Sequence, residues 1–578
     1  MSTSSRLLSR ALVLGALLAG LVDGAAPYCV PGQACFPTLP VLDAFNLTVG
    51  GRLKAPAPYA SVCYREEWDE GACQTLFQSE LSGSFRVEQP NALMFTNWEL
   101  NGDVGCPQPY SLPTSPLPGN CTLGSLPAYE VFAMSALDIS RSVTFAAKHN
   151  LRLRIKNTGH DYLGRSSAPG SFTIWTHQLK NTSYVPHFVP DGCQRTATPA
   201  NALIAGAGIE VLDLWRAADQ HNVTTIGGFI PTVGAAGGYM LGGGLGPLSR
   251  LYGMGVDNVL QYKVVTADGT IKIANECTNT DLFWALRGGG GTFGITTEVT
   301  VKAHPPLLGV NGVNATFLAN STQAFAQAIS VLLGMQATLG DAGLSGVSEL
   351  VSYGACPSCI PDVCISVSYI QETPEETLAL FGSMRNIPGV QIAFSTSSFS
   401  TWLNAYNGFI EPAMAGRDAV GVNILLGDRV LMKDTMTNEQ TVDVLGAFIA
   451  NMSTPIILQA VAGGAVSSFD PTSTYTSVHP GWRTALLHAN FPVFDLTQPA
   501  LTAQQNETLR RTLDGIDRII YPEGNPVAYY NEDWPGEPNW QARWFGGNYE
   551  RLLKIKKTVD PSGVFTCNNC VGSEVFGV

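Results

Sequence analysis

His160 stands in the middle of Lys156-Asn157-Thr158-Gly159-His160-Asp161-Tyr162-Leu163-Gly164-Arg165-Ser166, and it is the one histidine of eight in such a stretch. Small residues and glycine leave successive backbone N–H groups uncovered, and such a run cradles anions. A phosphate-bearing cofactor held there presents its body to the imidazole. The other seven histidines read as surface or packed residues. A second stretch, residues 227–246, reads GGFIPTVGAAGGYMLGGGLG. It is too rich in glycine for a helix or strand interior, where each glycine costs roughly 0.5–1 kcal/mol. It is also too apolar for a flexible linker. Close approach of backbone to a large flat ligand accounts for it. A third stretch, residues 287–294, repeats the theme as RGGGGTFG. None is followed by Gly-Lys-Ser/Thr, and none is a clean Gly-x-Gly-x-x-Gly, so neither a P-loop nor a nicotinamide site is indicated. Patterns for a metal or serine hydrolase are missing as well.

The elements that must position these stretches can be read from periodicity. Leu151, Leu153 and Ile155 alternate with Arg152 and Arg154, the period of a half-buried strand feeding the His160 turn. Before it, Ile139, Val143 and Ala146 sit at helical spacing over residues 138–149, and Asn150 is a C-cap. Residues 209–221 read as a helix. Residues 259–267 and 270–274 flank Asp268-Gly269, a two-residue hairpin signal. A short helix over 281–286 leads into the third glycine stretch, and residues 295–301 form a strand. Composition changes after His304-Pro305-Pro306. Residues 307–515 alternate strands such as 365–370 with helices such as 375–384 and 442–451, a second α+β unit. Residues 25–124 carry six cysteines and much proline and glycine, an irregular, disulfide-stapled lead-in.

The chain has 578 residues and a net charge of −13. It is long enough for two or more domains, and it lacks the basic cluster that nucleic acid requires. Arg6 and Arg10 precede an apolar run over 11–22, and small residues follow. This is a secretory signal peptide over residues 1–24. No other run approaches the roughly 18 apolar residues of a membrane span, so the mature chain is expected to be soluble, extracellular and free of membrane. Eight Asn-X-Ser/Thr sequons, at Asn46, Asn120, Asn181, Asn222, Asn314, Asn320, Asn451 and Asn506, agree with secretion. So do thirteen cysteines, most of which should pair in an oxidising compartment. Cys356, Cys359 and Cys364 can be spaced as a metal cluster and Cys567-x-x-Cys570 as a redox pair. The disulfide reading is preferred for both, and no metal site is expected.

Four stretches together resemble the flavin-binding domain of the vanillyl-alcohol-oxidase superfamily, in its berberine-bridge-enzyme-like branch of secreted fungal type. They are KNTGHDYLGRS (156–166), PTVGAAGGYMLGGGLGPLSRLYGMGVDNV (231–259), DLFWALRGGGGTFGI (281–295) and NYERLLKIKKTVDPSGVF (548–565), in the family's order. The resemblance implies an α+β fold: a two-subdomain FAD-binding domain over residues 125–304, an α+β substrate domain over 305–515, and a return to the FAD domain over 516–578. It implies FAD bound covalently through His160, with Lys156, Asn157, Thr158, Gly159, Asp161, Ser166, Gly234, Tyr239, Gly242, Gly243, Val259, Asn548 and Tyr549 around it. Many members add a second link from a cysteine just before Pro-Thr-Val-Gly. Here that place holds Ile230-Pro231, and no cysteine lies between Cys193 and Cys277. A single link through His160 is the expectation.

Tyr529-Tyr530-Asn531-Glu532 is similar to the family's Tyr-x-Asn-Tyr element, whose last tyrosine is a base in some members. A carboxylate accepts protons at neutral pH far better than a phenol of pKa about 10, unless burial raises it. The base is therefore Glu532, or Tyr529 if Glu532 is a structural departure. Val233 matches the family position beside which dioxygen meets reduced flavin, where valine accompanies oxidases and leucine dehydrogenases. The expectation is a monomeric secreted oxidase acting on a small organic molecule and dioxygen. A dehydrogenase using another acceptor and an idle ligand-binding glycoprotein are the alternatives.

Overall fold

The computed structural model describes residues 28–193, 198–351, 363–370, 379–414, 420–452, 454–469, 475–495 and 501–577, with backbone alone for 363–370 and 494–495. Residues 1–24, the expected signal peptide, lie outside these residues.

The His160 turn leaves the edge of a four-stranded sheet ordered β1-β2-β4-β3: β1 is Leu53–Lys54, β2 Tyr129–Phe132, β3 Leu153–Lys156 and β4 Phe172–Trp175. β2 and β3 each run parallel to β4. The helix Ala136–Lys148 is capped by Ser135, whose hydroxyl accepts from Asp138 N, and ends before Asn150 at φ 49°. Ile139, Val143 and Ala146 bury against Leu153, Phe172 and Ile174, as their spacing predicts. β3 departs from a half-buried strand, because Arg154 and Lys156 are buried too. A parallel strand is covered on both faces. The two cations tolerate this by donating to backbone carbonyls, Arg154 to Thr566 O at 2.8 Å and Lys156 to Pro90 O at 2.6 Å.

The segment before 125 is more regular than its composition suggests. It forms the helices Leu39–Thr48 and Glu70–Ser79, and it supplies β1 to the first sheet. Asp69 caps the second helix by accepting from Ala72 N. Proline and cysteine counts carry no information about such caps.

A second sheet, antiparallel throughout, has the order β5-β6-β9-β7-β8. Its strands are β5 Thr182–Phe188, β6 Ala200–Gly206, β7 Val259–Val265, β8 Ile271–Asn275 and β9 Ile295–Lys302. The expected hairpin turns at Gly269, φ +77°. The helix Val211–Gln220 lies between β6 and β7 in sequence.

The third sheet is antiparallel, ordered β13-β10-β12-β11-β15-β16-β14. Its strands are β10 Leu308–Ala319, β11 Ser345–Val351, β12 Val363–Ile370, β13 Val390–Thr401, β14 Asn423–Met432, β15 Ile456–Ala460 and β16 Ala485–Asp495. Side chains alternate across its plane. Leu350, Leu458, Ala489 and Phe491 bury in a core with the helices Thr322–Gly334, Glu439–Ala450 and Ala503–Ile520. Glu349, Ile457, Gln459, Asn490 and Leu426 point the other way and roof a cavity. The helix expected over 375–384 lies partly outside the described residues, and Phe381–Asn386 is a tighter 3₁₀ turn.

Disulfides join Cys29–Cys35, Cys63–Cys73, Cys106–Cys121, Cys193–Cys277 and Cys567–Cys570. Cys356 and Cys359 lie outside the described residues, and only the backbone of Cys364 is described. Titration of the unfolded, unreduced chain should find about one reactive thiol. Six or more would mean that pairs described here do not form.

Candidate active site

The three sheets enclose a cavity of about 500 Å³. The His160 turn, Val233 to Tyr239 and Gly290 to Thr292 line one side, the third sheet roofs it, and Tyr529 to Glu532 close the wall between.

The turn is held from within. The Asp161 carboxylate accepts from Leu163 N at 3.2 Å, Ser166 N at 2.7 Å and Arg165 Nε at 3.0 Å. Arg165 then donates to Tyr530 O at 3.3 Å and lies 4.5 Å over the Tyr530 ring, which ties the turn to the C-terminal segment. His160 Nε2 is 2.7 Å from Thr232 Oγ1. Burial pushes the imidazole down to about 3, so it is neutral through the physiological range.

The glycine stretches serve two ends. A Cβ on Gly234 or Gly237 would come within 2.3 Å of Asn157 Nδ2, and one on Gly290 (φ +81°) within 2.4 Å of Tyr530 Oη. These glycines let backbone and side chains close around the cavity wall. Gly288 N and Gly290 N both donate to Leu241 O at 3.0 Å, which joins the second stretch to the third.

On the opposite wall, Glu532 Oε2 accepts from Gln459 Nε2 and Asn490 Nδ2, each at 3.2 Å, and the side chain is 27% exposed. The Tyr529 hydroxyl accepts from Gly244 N at 2.8 Å and Asn531 Nδ2 at 2.9 Å. Its lone pairs are thereby engaged and its hydrogen is left to donate. Burial, with the Glu532 carboxylate beside it, pushes the phenol well above its usual range.

Of the expected site residues, Asn157, Thr158, Gly159, His160, Asp161, Ser166, Val233, Gly234, Tyr239, Tyr529 and Glu532 line the cavity together. Six expected contacts lie elsewhere. Lys156 turns its ammonium to Gln89 O and Pro90 O, away from the cavity. Gly242 and Gly243 lie behind the wall, where a Cβ would strike the side chains of Asn531 and Tyr529. Val259 is core in β7. Asn548 donates to Val478 O, and Tyr549 donates to Glu574 Oε1 at 2.5 Å among the rings of Trp540 and Phe545. Motif order alone gave no warning of Gln459, Asn490 or Glu349, which reach the cavity through sheet register across distant strands. Tyr530 and Arg165 stood inside quoted motifs, and their charge–ring contact became visible only in three dimensions.

The donor set fits a flavin dinucleotide. Asn157 Oδ1, Tyr239 Oη and Thr296 Oγ1 are buried without hydrogen-bond partners among the described residues, and all three residues line the cavity. Such groups call for a polar ligand. Asn157 to Asp161, Gly234, Tyr239, Gly290 to Thr292 and Thr296 would hold it.

A family model for an FAD binding domain matches residues 127–275, and one described as berberine and berberine-like matches 528–572. The chain belongs to the FAD-linked oxidoreductases of the vanillyl-alcohol-oxidase type, in the berberine-bridge-enzyme-like branch. An uncharacterized FAD-linked oxidoreductase of Arthroderma benhamiae is 34% identical over 573 residues, 96% of this chain and 95% of that one. The VAO-type flavoprotein oxidase VAO615 of Thermothelomyces thermophilus is 32% identical over 588 residues, 99% of this chain and 98% of that one. The crystal structure of VAO-type flavoprotein MtVAO615 from Myceliophthora thermophila C1 superposes with a TM-score of 0.82 at 28% identity, covering 95% of this chain and 98% of that one. A chitooligosaccharide oxidase shares the fold, with a TM-score of 0.63 and 18% identity over 87% of this chain and 99% of that one. The protein is thus an FAD-dependent oxidoreductase with the two-subdomain α+β fold expected from its motifs.

Proposed function

We propose that this chain is a secreted, monomeric FAD-dependent oxidase that holds its flavin by one covalent bond to His160. Its substrate is a small alcohol, sugar, phenolic or alkaloid with a C–H bond next to O–H or N–H. The observation that carries this is a neutral His160 and the carboxylate Glu532 on one cavity. When bound, the flavin accepts the hydride and passes electrons to dioxygen, which leaves as hydrogen peroxide.

The residues have separable tasks. His160 donates Nε2–H to Thr232, which leaves the Nδ1 lone pair for the covalent bond. Glu532 takes the substrate O–H or N–H proton: two amides anchor Oε2, and Oε1 has no partner among the described residues. Tyr529 keeps its proton and acts as a hydrogen-bond donor rather than as the base. Asp161, Arg165 and Tyr530 keep the turn and the C-terminal wall together.

Secretion and glycosylation rest on the N-terminal segment and on the sequon asparagines, none of which is buried. No helix among the described residues is long and apolar enough to cross a membrane. A screen of alcohols, sugars, phenolics and amines for peroxide release from the purified yellow protein tests the function. A protein that reduces its flavin with substrate yet releases no peroxide in air would be a dehydrogenase instead.

Val233 carries the oxygen half of the proposal. It lines the cavity and is half-buried. One extra methylene at a packed wall fills space that a diatomic gas needs. Val233→Leu should slow reoxidation of the reduced enzyme by air while sparing reduction by substrate. Stopped-flow traces separate the two half-reactions, and unchanged reoxidation would make Val233 ordinary wall.

A further inference from the structure

Behind Glu532 lies a buried histidine–aspartate pair with no part in the steps above. His488 on β16 and Asp428 on β14 share the cavity-facing side of the third sheet, His488 opposite Gln459 and Asp428 next to β16 opposite Asn490. Both are fully buried. His488 Nε2 lies 2.8 Å from Asp428 Oδ2. Its other nitrogen, Nδ1, is buried without a hydrogen-bond partner among the described residues and stands 3.8 Å from Glu532 Oε2. Asp428 also accepts the backbone N–H of Tyr529, at 2.8 Å to one oxygen, so the segment bearing Glu532 hangs from the same carboxylate. The charged or titratable groups facing His488 are Asp428, Glu532 and Tyr529. Trp482 packs beside it, and Arg429 is engaged with Asp517 and Glu537.

Burial disfavours net charge on such a pair. It pushes the His488 imidazolium down to about 4 and raises the Asp428 carboxyl well above its usual range. Together these directions describe a pair of zero net charge. Such a pair has one hydrogen in the Nε2···Oδ2 bond and the second on Nδ1. With one hydrogen fewer, a negative charge would be buried and a bare Nδ1 lone pair would face a carboxylate oxygen. The hydrogen bond made by one ring nitrogen thus decides what the other presents.

We propose that His488, with a hydrogen fixed on Nδ1 through Asp428, is a positioning residue that keeps Glu532 aimed into the cavity. This rests on the reading of Glu532 as the base. At 3.8 Å the contact is electrostatic rather than a formed hydrogen bond. An N–H facing a carboxylate oxygen attracts it, so removing that N–H frees the Glu532 side chain from its place on the wall.

The test uses the holoenzyme labelled with ¹⁵N-histidine, whose ring couplings report which nitrogen carries hydrogen. Glu532→Gln, at a part-exposed site, identifies the His488 signal as the one it displaces. The expected result at pH 7 is a hydrogen on Nδ1. A bare Nδ1 overturns the proposal, and it does so without touching the base reading if Glu532→Gln still reduces its flavin slowly. A second readout is the split between kcat and KM for flavin reduction in His488→Phe. The limiting rate should fall about tenfold with little change in KM, since only the aim of the base is lost. A raised KM with the limiting rate kept would mean a merely structural role and would overturn the proposal. A Glu532→Gln enzyme as fast as wild type would remove the base reading and with it any catalytic use of His488.

Discussion

Glu532→Gln is expected to slow reduction of the flavin by substrate about 10²–10⁴-fold, the range for loss of a general base. Flavin content and fold should be unchanged. The substitution is mild because glutamine keeps an oxygen for the amides of Gln459 and Asn490, which hold Oε2 at 3.2 Å. It removes only the capacity to take a proton. Tyr529→Phe should retain far more of the rate, because burial holds that phenol protonated and its loss costs a hydrogen-bond donor rather than the base. Rapid-mixing traces at saturating substrate distinguish the two. A Glu532→Gln enzyme reduced at the wild-type rate would place the base elsewhere on the cavity wall.

The wall of the cavity built by the His160 turn was legible in the sequence because its chemistry is local. A turn that exposes backbone must be made of small residues, and His160 stands inside one. Asp161 and Ser166 fall in the same eleven residues, and three consecutive bonds to Asp161 fix the loop. The opposite wall was not legible. Gln459, Asn490 and His488 sit on β15 and β16 and meet Glu532 only through strand register. An alternating strand announces which side chains share a face, not which strand lies beside it. Glycine misled in a specific way. Gly234 and Gly290 line the cavity, whereas Gly242 and Gly243 are small to admit Asn531 and Tyr529 behind it. All four are small to admit a neighbouring side chain, and composition cannot tell which of them stand on the cavity surface. Lys156 was expected beside the flavin because the resemblance places it there, yet Gln89 O and Pro90 O hold its ammonium.

His160→Ala should abolish covalent attachment completely while leaving the protein folded and able to take up FAD reversibly. The pocket outside the imidazole is made of backbone and of partner-seeking groups such as Asn157 Oδ1, Tyr239 Oη and Thr296 Oγ1, which the substitution leaves in place. The imidazole suits bond formation because burial keeps it neutral down to about pH 3, so its lone pair is available wherever the enzyme folds. Thr232 fixes the ring through Nε2 at 2.7 Å, and Thr232→Val should therefore slow attachment without preventing it. No cysteine lies between Cys193 and Cys277, and Ile230 and Pro231 stand where the resemblance puts a second link.

The most direct measurement is the mass of the tryptic peptide 157–165 from acid-precipitated protein, which Lys156 and Arg165 delimit. The wild type should give a yellow pellet, with the flavin mass on this peptide, at His160, and on no other. A colourless pellet, or flavin mass on a peptide lacking His160, would contradict single attachment through His160.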